Sequence, residues 1–152
     1  MEGVYLYDNQ LTGSLELDRL PATVRRLGLG NNKFTGEISL EHLPKSLEYL
    51  SLFDNQLSGT ICLISLAPAL EHMNLEKNNF EGSLDFTRLP KSMSYIQLSE
   101  NRFSGTIDLG NLPESMHILF VEKNALSGTV RVPPGLMEIL DGNDELTVER
   151  IE

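Results

Sequence analysis

The sequence predicts a parallel β-solenoid of short stacked coils, and three observations predict it. First, the segments DNQLTG, NNKFTG, DNQLSG, KNNFEG, ENRFSG and KNALSG recur without a slip. They place Asn9, Asn32, Asn55, Asn78, Asn101 and Asn124 each 23 residues after the last. Second, an alternating apolar pair precedes these asparagines, such as Leu50 and Leu52 or Ile96 and Leu98. Third, the flanks keep the same frame: L-P-x-S-L/M upstream, as in Leu43 to Leu47, and G-x-I/L-x-L downstream, as in Gly59, Ile61 and Leu63.

Each part of the unit has a physical reason. In L-x-L the side-chain period of two puts both leucines on one face, which predicts one short strand per coil. A single coil leaves that face in water, so coils stack and their strands form a parallel sheet. The apolar residue two places after each asparagine (Leu11, Phe34, Leu57, Phe80, Phe103, Leu126) continues the core. Between them the chain turns and leaves amides without strand partners. An inward asparagine satisfies these from coil to coil, which predicts an asparagine ladder. The recurrent glycine (Gly13, Gly36, Gly59, Gly82, Gly105, Gly128) suits a bend or a close coil-to-coil contact. The I-x-L after it is expected as a second short strand. The L-P-x-S-L segment returns over the far side, where proline restricts it to a turn or a short 3₁₀ piece.

The composite pattern L-x-x-L-x-L-x-x-N-x-L/F-x-G-x-I-x-L resembles the leucine-rich repeat over nearly the whole chain. Its L-S-G-T-I portion is similar to the plant-type subclass, although the proline usual after that isoleucine is missing. The L-P-x-S-L portion is similar to repeats of unicellular eukaryotes. The resemblance implies an α/β-type solenoid: a right-handed arc with a parallel β-sheet on the concave face, short 3₁₀ or irregular convex segments and little α-helix. It also implies a role in protein–protein interaction. One domain over residues 1–152 is expected, with six coils from about 1 to 135 and a shortened terminal coil over about 136–152.

The ends break the pattern. Val4 to Asn9 already occupies strand positions, so no capping module is expected before the first coil. An uncapped edge predicts association through the ends, giving a homo-oligomer, or continuation as a longer solenoid. The last coil reaches its turn three residues early, with Asp141 and Gly142 expected to replace a core residue and its neighbour; it reads as a polar cap.

Composition narrows the function classes. The formal charge of −10 argues against nucleic acid and against anionic membrane surfaces, since phosphate binding needs a basic face. A protein partner with basic patches fits better. No apolar run approaches the roughly 18 to 20 residues of a membrane helix. The start, MEGVYLYDNQ, has no signal-peptide layout, Cys62 is the single cysteine, and no N-x-Ser/Thr sequon occurs. Together these absences predict an intracellular compartment.

No catalytic, cofactor or metal residues are predicted. Gly28 and Gly30 in LGLGNN give G-x-G, but Lys33 stands where a dinucleotide fingerprint needs glycine, and the segment lies on a repeat strand. These glycines are expected to flatten the concave surface. Asp141 to Glu152 has acidic residues at several positions of a calcium loop, yet Leu146 replaces the required glycine. His42, His72 and His117 fall at different positions of their coils and do not converge. There is no G-x-S-x-G elbow. Cys62 occupies the outward place of I-C-L, with no histidine beside it in the repeat frame.

What the repeat leaves unexplained is the set of outward strand residues. All four tyrosines lie there, and Phe53 and Phe120 join them, whereas Phe34, Phe80, Phe86 and Phe103 take core places. Strand propensity accounts for one or two tyrosines but not for the whole set, and aromatic clusters of this kind mark recognition surfaces. The proposed anchors are therefore Tyr5, Tyr7, Tyr49, Phe53, His72, Tyr95 and Phe120, with Asp8, Asp54, Glu76 and Glu100 as charged selectors. The expected function is a non-enzymatic scaffold binding a macromolecule on this face. Alternatives are a structural solenoid that self-assembles through its ends, the targeting arm of a larger enzyme and, less well supported, a lectin.

Overall fold

The computed structural model describes residues 2–151. Each coil contributes two strands. In chain order these are β1 (Gly3–Tyr5) and β2 (Thr12–Gly13), then β3 (Arg26–Gly28) and β4 (Lys33–Glu37). Next come β5 (Tyr49–Ser51) and β6 (Gln56–Gly59), then β7 (His72–Asn74) and β8 (Asn79–Gly82). The last three coils give β9 (Tyr95–Gln97) and β10 (Arg102–Gly105), β11 (Ile118–Phe120) and β12 (Ala125–Val132), and β13 (Met137–Ile139) and β14 (Glu145–Arg150). The seven odd strands form one sheet in chain order and the seven even strands another, every neighbouring pair parallel. Among the described residues the helical content is a single 3₁₀ turn, Leu17–Arg19. This is the predicted solenoid of about seven turns, almost without helix.

The L-x-L strands pair in register at the repeat length, so that Leu27 faces Leu50, Leu50 faces Met73 and Met73 faces Ile96. These side chains, with the phenylalanine column Phe34, Phe80 and Phe103, form one continuous buried core. Each odd strand ends where a residue turns left-handed: Asp8, Asn31, Asp54, Lys77, Glu100 and Lys123 have φ between 55 and 58°. The following asparagine then makes the predicted ladder. Asn55 Nδ2 donates to the Leu29, Leu52 and Phe53 carbonyls (3.1, 3.1 and 3.3 Å), and its Oδ1 accepts from the Phe34 amide (3.1 Å). A side-chain amide thus closes backbone groups that the turn has removed from the sheet.

The second strand is displaced from its expected place. It lies on x-L/F-x-G, directly after the asparagine, rather than on I-x-L, which joins a ladder only in β12. The glycine column, whose φ runs from 73 to 96°, stands at or near the end of this strand in the other coils, while β12 continues through Gly128. That left-handed value is unstrained only without a β-carbon.

The return segment contains the predicted turn: the Leu47, Met93 and Met116 amides donate to the Pro44, Pro90 and Pro113 carbonyls at 3.0 to 3.1 Å. It also holds a second ladder that sequence reasoning missed. Ser46 Oγ bonds to the Ala22 and Val24 carbonyls of the preceding coil, and Ser92 and Ser115 repeat the contact one coil apart. The signal was the serine that recurs in L-P-x-S-L/M at Ser46, Ser92 and Ser115, with Thr23 and Ala69 at its place in two other return segments.

The last coil is shorter than the others but not as expected. Its asparagine is Asn143, 19 residues after Asn124, and it continues the ladder to Leu126, Val121 and Leu140. Leu140 is buried, so Asp141 and Gly142 do not replace a core residue; they are outward, and Gly142 takes the left-handed position at φ 76°. One extra residue before Leu146 leaves that leucine 20 residues after Leu126, still three short of the repeat, and β14 pairs with β12 over six residues. Glu152, the final carboxylate of the calcium-loop comparison, lies outside the described residues, as does Met1. In the first coil Leu6 and Leu11, at core positions of the frame, remain 45% and 37% exposed.

Candidate binding surface

The pairing aligns outward residues of successive L-x-L strands into rows, with strands about 4.8 Å apart. The first row runs Arg26, Tyr49, His72, Tyr95, Ile118 and Met137. Because the spacing between strands is close to the centroid separation of a stacked ring pair, aromatic side chains in one row stack face to face. Tyr49 and His72 lie 4.6 Å apart and His72 and Tyr95 4.1 Å, the latter pair only 5° from parallel. Phe120 closes this group edge-on against Tyr95 at 6.1 Å.

A second group forms over the first three coils. Tyr5 stacks on Tyr7 at 6.2 Å and Tyr7 meets Phe53 at 6.0 Å. A 3.0 Å hydrogen bond between the Tyr7 and Tyr49 hydroxyls joins the two groups. All seven predicted anchors therefore belong to one network. Their exposure differs from the expectation: Tyr5 is 53% exposed, while the other six are half-buried against each other.

The second coil explains part of this burial. A β-carbon on Gly28 would sit 2.2 Å from the Tyr7 hydroxyl oxygen, and one on Gly30 2.2 Å from Phe53 Cε1. The glycines do not flatten the surface; they form a notch that rings from the first and third coils fill. The available signal was two glycines at the outward places of one coil, with Tyr7 and Phe53 in the neighbouring coils.

Burial sets the protonation behaviour of the network. It raises the Tyr7 phenol, with the Tyr49 hydroxyl adding to the rise and the adjacent Ser51 hydroxyl opposing it. That Ser51 hydroxyl makes no hydrogen bond of full geometry. Burial likewise raises Tyr95, helped by the Glu76 charge, and lowers the His72 imidazole, favouring its neutral form.

The charged selectors separate into two kinds. Asp8, Asp54 and Glu100 occupy the left-handed turn position, so the backbone fixes their place on the rim. Asp8 is engaged within the surface, accepting from Asn31 Nδ2 at 2.6 Å. Glu76 lies instead in the third outward row, half-buried. Its carboxyl is pushed above the ordinary value by burial; Lys77 pulls the other way, and Glu100, Glu122 and Asp54 add to the rise. Asp54, Glu76 and Glu100 are thus brought together, and Asp8 is not. Sequence reasoning did not select Asn74, Gln97, Ser99 and Glu122, which complete this half of the sheet from the same frame positions.

Other chemistry is dispersed. A broad hollow lined by Asp85, Thr87, Asp108, Gly110 and Ile151 opens away from the aromatic network. There the Asp85 carboxyl is held below its usual range by hydrogen bonds from Thr87. Cys62 is half-buried. Among the described residues no three His, Cys, Asp or Glu side chains gather as metal ligands, and no helix is long and apolar enough to cross a membrane.

Repeat, coil and asparagine ladder together are those of the leucine-rich repeat fold. The Leucine Rich Repeat family model matches residues 46–65. The fold is similar to that of pollen receptor kinase 3, with a TM-score of 0.79, 23% identity, and 95% of this chain aligned to 74% of that one. It is also similar to the leucine-rich repeat ectodomain of the receptor kinase SOBIR1 from Arabidopsis thaliana. That match has a TM-score of 0.60 and 29% identity, and covers 70% of this chain and 62% of the other. No curated protein matches the chain.

Proposed function

We propose that this protein is a non-enzymatic interaction scaffold that binds a macromolecular partner on the aromatic and acidic face of its L-x-L sheet, the inner face of the arc. The observation that carries the reading is the seven-ring network. It occupies outward positions that the repeat does not need for folding, and it spans the sheet from Tyr5 to Phe120. Rings prepacked against each other lose little side-chain freedom on binding, as suits anchor residues. A face of seven strands, roughly 30 Å across, fits a protein segment or small domain better than a small molecule. A sugar platform is less well supported, because the stacked rings cover each other's faces and present mainly their edges. The structural neighbours include a receptor ectodomain, which is compatible with a binding role.

The test is affinity capture from the native source with wild type and a Tyr49→Ala/Phe53→Ala double variant. The variant loses two ring contacts, each worth about 0.5 to 1.5 kcal/mol, so its melting is recorded alongside. Loss of the captured partner from a variant still folded at the working temperature is the expected outcome. Equal capture by both proteins would exclude this face.

A further inference from the structure

Resting on the reading that this face binds, we propose its ligand class: an extended peptide segment bearing an arginine or lysine. Its backbone carbonyls accept from a row of donors at Ser51, Asn74 and Gln97, and its cationic side chain sits between Glu76 and Glu122 above Ser99. The three donor residues occupy the second outward row of consecutive strands, paired Ser51 with Asn74 and Asn74 with Gln97.

Two internal hydrogen bonds give this row its polarity. The Glu76 amide donates to Asn74 Oδ1 and the Ser99 amide to Gln97 Oε1, each at 3.0 Å. A main-chain N–H only donates, so both side-chain oxygens are fixed toward the strand. The two NH₂ groups are left over, and among the described residues neither donates to anything. Gln97 is nonetheless only 7% exposed and Ser51 only 1%, and Ser51 Oγ is a fully buried hydroxyl that has the Tyr7 hydroxyl beside it but makes no hydrogen bond of full geometry. Buried polar groups ordinarily have partners. The row therefore offers donors without matching acceptors, which selects carbonyl oxygens over sugar hydroxyls that need both. From Ser51 to Gln97 is two strand spacings, about 10 Å, or about three residues of extended chain.

The flanking rows supply the charge selection. The Tyr49, His72 and Tyr95 stack forms one wall. Opposite it, the Lys77 amide donates to the Ser99 carbonyl and the Glu100 amide to the Glu122 carbonyl, which aligns Glu76, Ser99 and Glu122 across three strands. The short Ser99 side chain, itself only 1% exposed, lies between two carboxylate-bearing residues of the same row. Ser99 Oγ approaches Gln97 Oε1 at 2.5 Å and Glu122 Oε1 at 2.8 Å, yet it has one hydrogen to give. The Glu76 carboxylate makes no ion pair or hydrogen bond among the described residues, despite being half-buried near Asp54, Glu100 and Glu122. A guanidinium or ammonium group answers both unmet acceptors at once.

The probes are capped heptapeptide libraries with Arg, Lys, Ala or Glu fixed at the centre and the other positions randomised, read by fluorescence anisotropy at two salt concentrations. The Arg and Lys libraries are expected to bind at least about tenfold tighter than the Glu library, with binding weakened by salt. Glu76→Gln/Glu122→Gln should remove the preference of Arg and Lys over Ala. Gln97→Met should weaken the Arg, Lys and Ala libraries alike, by about tenfold. Melting at or above the wild-type value is expected for Glu76→Gln, which removes a disfavoured charge. Indifference to the central residue, preference for Glu, or an unchanged charge preference in the double glutamine variant would overturn the inference. If the natural partner is lost with Tyr49→Ala/Phe53→Ala but retained with Glu76→Gln/Glu122→Gln and with Gln97→Met, the face is right and the peptide class is wrong. If it is retained by all of these variants, the face itself is wrong.

Discussion

At the scale of single residues, the repeat explains its asparagines more completely than its charges. Asn55 satisfies four backbone groups across two coils and is 7% exposed. Asn9, at the first coil, reaches only its own Leu6 and Tyr7 carbonyls and is exposed. Replacing Asn55 with alanine strands buried donors and acceptors and should cost about 1 to 3 kcal/mol. The same change at Asn9, where water replaces the lost partners, should cost far less. Urea unfolding of the two variants measures the difference, and equal losses would contradict the ladder as the source of stability. The ladder was legible in the sequence because each coil repeats the same need at the same place. The left-handed turn before it was not. Asp and Asn tolerate that conformation, but Lys77, Glu100 and Lys123 carry no such signature and adopt it because the flanking strand and ladder leave no alternative.

At the scale of the element, the positions of the binding face were legible and its packing was not. The frame alone places Tyr49, His72 and Tyr95 on one side of the sheet. That they stack depends on ring orientation across coils, and the filling of the glycine notch depends on rings leaning in from neighbouring coils. Both are tertiary facts without a local pattern. The stack has a consequence for pH. His72 between its two tyrosines is held below its ordinary pKa by burial. The unfolded chain takes up that proton near pH 6.5, whereas the folded one resists it. Its contribution to stability is therefore complete above about pH 6.5 and is lost as pH falls through the lower folded value. The groups facing it from neighbouring coils are Tyr49 and Tyr95, with Glu76 acting on Tyr95. His72→Phe keeps a ring in the stack without the proton. Its melting temperature should decline less than that of wild type between about pH 7 and 5; parallel declines would mean that His72 does not couple to folding.

At the scale of the whole molecule, the topology is one-dimensional. Among the described residues strands contact only their neighbours within a sheet, and the contacts of Tyr7 with Tyr49 and Phe53 reach past the adjacent coil only on the ring-bearing face. Stability is then a sum of coil and interface terms rather than the property of one closed core. The centre of the stack is its best-satisfied part: Leu50, Leu52, Met73, Leu75 and Phe80 are completely buried, while the first coil leaves Leu6 and Leu11 partly in water. Phe80 stacks on Phe103 at 6.3 Å and lies in the middle of the array. Phe80→Ala should cost about 3 to 5 kcal/mol in an ordinary core. Here the loss falls on interfaces that join two halves with few other connections, so it should also divide the cooperative unit. Wild type should unfold in one transition, and Phe80→Ala in two, or in one with a distinctly smaller urea dependence. Hydrogen exchange should then show the first three coils opening before the last three, because six residues of ladder tie β12 to β14 and nothing comparable supports β1 and β2. A single transition with unchanged slope would show that cooperativity crosses the cavity, and that the solenoid is stiffer than nearest-neighbour coupling allows.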